Sequence, residues 1–439
     1  MSRRHGIALG LLVLALASAL TAARAQAPTE SVRTTRLDNG LTVIVRENPV
    51  APVVAMALLV RMGSRWETAG NAGISNFTHA VMVKGTTRRG GAEIAEAVAG
   101  LGGKITAAGD VDYSGIQAAA LARFWRELLE ITAELALQPR LAADEVDRER
   151  DWLLSRVQRR HDNAPARAFD ELYARLYGPH PYALPNLGTA AALPRIDHAA
   201  IERWYRAFYR PERMTLSVSG QVGADEVVAE ARRLFGGIPG STPAPDPAVP
   251  APSPAGGRAV IEAPAQQTQI LVGGLAPSLD HSDHAPVKVL STILGGGMAG
   301  RLFVELRDRS ALAYTATSYY EPVKDRGVLV LYLGTAPATS ARAEQALLRE
   351  IQKVRDVPVS DDELARAKGY LLGRYAMDRR TNERIAWHLA FEEIEGVGRA
   401  YPERLRRQVE AVTVADVQRV ARTYLGATTT IVLGPSPAR

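Results

Sequence analysis

The sequence predicts an α+β protein built of two homologous halves, each an antiparallel sheet covered on one side by helices. Three observations lead there. At 439 residues the chain is longer than one ordinary hydrophobic core serves, so two or more domains are expected. The stretch "GIPGSTPAPDPAVPAPSPAGG", residues 237–257, alternates Pro with Ala and Ser. Proline lacks the amide hydrogen that a helix or strand interior needs, so this stretch reads as an extended spacer, and it divides the chain nearly in half. The halves then repeat one order of elements. Their ends show it most plainly: "IDHAAIERWYRAFYRPERMTLSVSG" (196–220) and "VTVADVQRVARTYLGATTTIVLG" (412–434) each run helix, turn, strand. That spacing is too long for a solenoid and points to a duplicated unit, expected over 31–236 and again over 258–439.

Taken from the N-terminus, the chain opens with Arg3, Arg4 and His5, then an apolar run from Ile7 to Ala23 ending in Ala23-Arg24-Ala25. A charged start, a short apolar core and small residues at a cleavage point describe a secretory signal peptide over 1–25, so a periplasmic protein is expected. The sequence has no cysteine, which excludes disulfide staples and thiolate metal sites. A formal charge of +6 without blocks of like charge argues against a nucleic-acid partner. "APVVAMALLVRMGSRWE" (51–67) and "QTQILVGGLAP" (267–277) are matching strands that precede a helix. A long helix from Ala142 to Arg160 directs Val146, Trp152, Leu153, Leu154 and Val157 toward a core. Its Glu149 and Arg156 are two turns apart and share a face. Ser360-Asp361-Asp362-Glu363 is a capping box ahead of the helix Leu364–Tyr375.

The stretch "GISNFTHAVMVKGT" (73–86) reads as a short helix entering a Lys84-Gly85-Thr86 turn, and Gly102-Gly103 follows a second helix. In this arrangement the region resembles the insulinase and pitrilysin family of zinc peptidases, the inverted zincins with H-x-x-E-H. The resemblance places the metal motif on Asn76-Phe77-Thr78-His79-Ala80. A catalytic zinc needs two imidazoles one helical turn apart, a further carboxylate, and a glutamate to take a proton from its water. Here Asn76 and Ala80 replace the imidazoles, His79 replaces the general base, and Arg156 stands at the third ligand. Glu149 matches an acidic residue that the family carries. The resemblance therefore implies a degenerate site with no metal of its own.

Considered alone, His79 fits a hydrogen-bonded core or surface histidine better than a ligand, and Asn76 and Thr78 read as helix-surface residues. His281 and His284, in "LDHSDHAPVK", sit in what reads as a solvated turn capping a helix.

In the second half, "ILGGGMAGRLFVELRDRSALAYTATSYYEP" (293–322) resembles the same family's C-terminal signature. It carries the glycine run Gly295-Gly296-Gly297, then Arg301-Leu302-Phe303, then Arg307 and Tyr314 seven residues apart. The resemblance implies that the halves enclose a chamber, that Arg307 grips substrate backbone, and that the Tyr314 hydroxyl stabilises an oxyanion. The glycines would allow close approach to a peptide or a partner's surface.

Three functional readings follow. The chain is the non-catalytic partner of a zinc-bearing paralogue in a peptide-degrading heterodimer, inactive alone and supplying Arg307 and Tyr314. Or it is a peptide-binding or structural subunit with no part in catalysis. A lone peptidase with another metal arrangement would need ligands the sequence does not offer. The retained arginine and tyrosine favour the first, with zinc expected in the partner chain.

Overall fold

The structure, a computed structural model, describes residues 32–241, 246 and 248–435. The segment expected to be a signal peptide lies outside the described residues. The first half contains strands β1 (Val32–Arg36), β2 (Thr42–Glu47), β3 (Val53–Val60), β4 (Lys104–Gly109), β5 (Ser114–Leu121) and β6 (Met214–Gly220). Its helices are α1 (Ile74–Met82), α2 (Gly91–Gly100), α3 (Trp125–Leu137), α4 (Ala143–Asp162), α5 (Ala164–Tyr177), α6 (His198–Phe208) and α7 (Ala224–Phe235). The second half contains β7 (Gly257–Glu262), β8 (Thr268–Ala276), β9 (Thr315–Glu321), β10 (Gly327–Thr335) and β11 (Thr429–Gly434). With them come α8 (His284–Gly295), α9 (Ser340–Asp356), α10 (Asp361–Asp378), α11 (Asn382–Ile394), α12 (Tyr401–Ala411) and α13 (Val414–Tyr424). The expected capping box is present: Ser360 accepts from the Glu363 amide, and Glu363 accepts in return from the Ser360 amide.

The duplication is written in the sheet orders, β1-β2-β6-β3-β5-β4 and β7-β11-β8-β10-β9. Apart from β1, the two correspond strand for strand. Most neighbours are antiparallel, but each sheet holds one parallel pair, β2 with β6 and β7 with β11. In both cases the half's closing strand slots between its opening strand and the next, which runs antiparallel to both. The sheets are therefore mixed rather than purely antiparallel.

Each sheet is covered on both faces, not on one. β3, "VVAMALLV", places Val54, Met56, Leu58 and Val60 in its own half's core, while Ala55, Ala57 and Leu59 pack against Ala386, Ala390 and Ile394 of α11, a helix of the other half. In β8, Ile270 and Val272 face their own core, and Leu271 packs with Leu172 and Leu176 of α5. Burial on both faces is why these central strands read as continuous apolar runs rather than alternating ones. The exchange of α5 for α11 makes the packing of the halves mutual.

The segment between the halves is tied down at described points. Asp246 accepts hydrogen bonds from Arg61, Arg65 and the Trp66 indole, and the amides of Ser253 and Ala255 donate to the carbonyls of Tyr177 and Arg175 near the end of α5. No helix among the described residues is long and apolar enough to cross a membrane.

Candidate functional site: an altered metal position in the chamber between the halves

Helix α1 starts at Gly73, whose φ of 92° is left-handed and whose Cα face meets Gly188 so closely that an added Cβ would lie 2.4 Å from the Gly188 Cα. The Glu67 carboxylate accepts the amides of Gly73 (2.6 Å) and Ser75 (2.9 Å), satisfying two donors that a helix start leaves free. Burial pushes this carboxyl above its usual range, with the two amides acting against the shift. Glu67 is a site-shaping residue that the sequence reading missed, because its partners lie six and eight residues on, outside any local capping pattern.

Past that start, α1 packs against β4, α4 and α6. Gly109 of β4 lies on the Asn76 backbone; a Cβ there would stand 3.0 Å from the Asn76 nitrogen. At the other end, Lys84 forms an ion pair with Glu149 of α4 (2.5 Å), and the Thr86 hydroxyl donates to buried Glu134 of α3, which Arg89 also holds. The Lys-Gly-Thr turn thus bolts α1 to both neighbouring helices.

The residues of the altered motif separate into two groups. His79 is fully buried. Its Nδ1–H donates to the Ser75 carbonyl (2.9 Å), which fixes the tautomer, so Nε2 accepts from the Tyr209 hydroxyl (2.5 Å). Burial drives its pKa down to about 4, against the opposing pull of the Ser75 bond, so the ring is a neutral core group. Thr78 is equally buried and donates to the Ile74 carbonyl, contrary to its expected place on the helix surface.

Asn76 and Arg156, by contrast, line one cavity of about 710 Å3 between the halves. Ala80, one turn after Asn76, offers only a methyl group. Arg156 does not pair with Glu149, which is taken by Lys84; its guanidinium sits over the Trp152 ring instead, 4.6 Å from the centroid. Trp152 is 49% exposed and so lies outside the core expected for it, because that face of α4 turns outward and Arg156 is four residues on.

The remaining wall is aromatic and acidic. Tyr173 and Tyr177 of α5, Tyr113, Tyr182 and Tyr320 surround the space. Tyr173 donates to Glu321 (2.8 Å) and Tyr182 to Asp112. Glu395, just past α11, completes the far side. Burial first, then the nearby Asp112 carboxylate, push Glu395 up to about 8; Lys324 and Arg61 draw it back and Asp110 adds to the rise. The folded state therefore holds a proton on Glu395 that the unfolded chain has released, and stability falls as pH rises from the ordinary glutamate range, about 4.3, toward 8. Glu395→Gln should match the wild type in thermal midpoint near the lower bound and exceed it increasingly up to the higher one. A constant difference across that window would contradict this assignment.

Arg307 and Tyr314 lie elsewhere. Arg307 is exposed on a wide π-helical turn, Phe303–Arg309, with its guanidinium 4.8 Å from the Phe303 centroid. The chain then passes Ala311 in left-handed backbone, φ 50°, an uncommon state for a residue with a Cβ. Tyr314 follows at 62% exposure, its amide bonded to the Gly334 carbonyl. Neither residue borders the cavity that holds Asn76 and Arg156.

The glycine run serves this chain's own packing: a Cβ at Gly295 would lie 2.0 Å from the Ser318 amide nitrogen, one at Gly296 2.4 Å from the Thr292 carbonyl oxygen, and Gly297 has φ 80°. Gly295 lets the end of α8 seat on β9, while Gly297 is exposed. His284 is buried at the start of α8 between the hydroxyls of Tyr320 (3.0 Å) and Tyr401 (2.9 Å), not in a solvated turn, while His281 is exposed.

A zinc ion does not fit the donor set at residues 76–80 and 156. The one imidazole is buried with both nitrogens engaged, the position one turn on has no donor atom, and a guanidinium stands where a carboxylate is required. Asn76 Nδ2 is buried with no hydrogen-bond partner, and an amide at this position carries no imidazole lone pair for a zinc ion. Among the described residues, no three His, Asp or Glu side chains converge as a metal-ligand set.

Comparison with known proteins bears on this arrangement. Residues 42–190 match the family model described as insulinase (peptidase family M16), and residues 195–371 match that of the peptidase M16 inactive domain. An uncharacterized zinc protease of Mycobacterium tuberculosis is 30% identical over 402 residues, covering 90% of this chain and 90% of that protein. Another, from Rickettsia bellii, is 27% identical and covers 93% of this chain and 98% of its own length. Among solved structures, a protease from Helicobacter pylori superposes with a TM-score of 0.86 at 22% identity, covering 92% of this chain and all of that one. A peptidase M16 inactive domain from Pseudomonas fluorescens gives 0.83 at 24%, covering 93% and 99%. The chain belongs to the insulinase family of peptidases, as a non-catalytic member.

Proposed function

We propose that this chain is the non-catalytic subunit of a periplasmic heterodimer, paired with a zinc-bearing paralogue of its own family, and that it supplies Arg307 and Tyr314 to peptide hydrolysis in trans. The observation that carries this reading is an asymmetry of position. The residues at the four metal positions cannot hold zinc, while the arginine and tyrosine stand exposed and do not border this chain's own chamber. Residues so placed have no reacting centre within their own chain to act on. The partner chain would hold the zinc and activate the water; this chain would grip peptide backbone through a planar guanidinium and stabilise the developing oxyanion through one phenolic hydrogen bond.

Reconstitution tests it. The purified mature chain should hold no stoichiometric zinc and cleave no peptide, a zinc-bearing paralogue encoded beside it should cleave weakly, and the mixture should cleave strongly. Near one zinc per chain, lost to a chelator together with cleavage, would contradict the first expectation. A paralogue fully active alone would favour the other reading, a peptide-binding or structural subunit without a catalytic part.

A further inference from the structure

The altered motif places Asn76 and Arg156 on the chamber wall. Asn76 Nδ2 is buried without an acceptor, and Arg156 makes no ion pair among the described residues. The other cavity arginine, Arg160, is already held by both oxygens of Asp170. Where a zinc site would present a carboxylate to a cation, this chain presents a guanidinium.

We propose that the altered metal position is a carboxylate-binding subsite, which takes the C-terminal carboxylate or an acidic side chain of a short peptide lying in the chamber. This rests on the reading that the chamber takes peptides, and not on pairing with a zinc-bearing chain. The guanidinium fork matches a carboxylate with two parallel hydrogen bonds. Stacking on Trp152 restricts its orientation. A cavity of about 710 Å3 accommodates a short peptide, and its low-dielectric tyrosine wall strengthens a charge contact made inside it. The wall also decides against a phosphate. Glu321 and Asp112 line the same space, so a dianion meets about twice the repulsion that a monoanionic carboxylate on an otherwise neutral peptide meets.

The test is calorimetric binding of three N-acetylated alanine-leucine hexapeptides to the purified chain without any partner: one with a free C-terminus, its C-terminal amide, and that amide carrying one internal glutamate. At least one carboxylate-bearing peptide should bind about ten- to a hundredfold tighter than the plain amide, the range expected of a charge-assisted hydrogen bond. Preference for the free acid alone identifies the peptide terminus as the ligand, and preference for the glutamate peptide alone identifies the side chain. Arg156→Gln should abolish the preference while leaving the thermal midpoint near wild type, since Arg156 makes no ion pair among the described residues and stacks on a half-exposed ring. Equal binding of all three peptides, no binding of any, or a preference that survives Arg156→Gln would overturn the proposal. Because the measurement uses one chain, its failure leaves the heterodimer reading standing, and inactivity of a reconstituted mixture would not touch this result.

Discussion

Arg65→Ala should lower the unfolding free energy by about 3–5 kcal/mol, the range for removing one member of a buried ion pair. Arg65 follows β3 and is 9% exposed. Its Nε and Nη2 meet the two oxygens of Asp325 at 2.8 and 3.0 Å, a fork-on-fork pair between the halves, and Nη1 reaches Asp246 at 3.3 Å. His180 adds a third contact to Asp325 at 3.2 Å. One guanidinium therefore joins the first half, the connecting segment and the second half. Removing it strands Asp325 and Asp246 with less than their charge requires. Arg65→Lys should recover only part of the loss, because an ammonium cannot match the fork.

The sign with pH is set by Asp325. Burial raises its pKa, but the His180 and Arg65 bonds outweigh burial and hold the carboxyl well below the usual range. Its contribution is present above the unfolded aspartate value of about 3.9 and is lost as pH falls below it. Urea midpoints at pH 7 and at pH 3 should thus differ more between wild type and variant at the higher pH. A loss under about 1 kcal/mol at pH 7 would mean that the halves are held by the exchanged helices α5 and α11 alone, with the pair worth no more than one on the surface.

What was legible in the sequence was whatever depends on neighbours along the chain. The apolar runs of β3 and β8, the Ser360 capping box and the helix-strand endings follow from period, propensity and caps, and they suffice for the duplicated architecture. The altered motif was legible only through the resemblance to the insulinase family, whose H-x-x-E-H pattern falls on Asn76 to Ala80 and whose third ligand falls on Arg156. Long-range partner choice was not legible. Nothing local says that α5 serves the second sheet and α11 the first, since an amphipathic stripe does not name the surface that covers it. Lys84 taking Glu149, and Tyr209 taking His79 across 130 residues, depend on how separate helices come to rest. Trp152 misled because apolar character was read as inward direction, whereas its ring is 49% exposed with the Arg156 guanidinium stacked over it. In the glycine run, the close seat of Gly295 on β9, where a Cβ would stand 2.0 Å from the Ser318 amide, likewise depends on a partner distant in the chain.

Tyr314→Phe in the reconstituted heterodimer should lower turnover by about a hundred- to a thousandfold, the effect of losing one oxyanion donor. The ring stays, so packing and assembly should not change; at 62% exposure it has little packing to lose. The substitution removes one hydroxyl whose use arises only as negative charge grows on the scissile carbonyl oxygen. The loss should therefore fall on kcat with KM nearly constant. Arg307→Ala should behave in the opposite way. A guanidinium on peptide backbone acts on bound substrate and transition state alike, so its removal should chiefly raise KM. Steady-state kinetics at saturating partner, with assembly followed by gel filtration, separate the two. The contrast matters more than either size. An unfolded or dissociated variant would lower apparent kcat for both, whereas a kcat effect at Tyr314 and a KM effect at Arg307 in assembled complexes require two side chains, exposed in the single chain, to meet substrate held against another chain's metal. If both variants leave the mixture unchanged, the pair has no part in hydrolysis, and the binding-subunit reading takes its place.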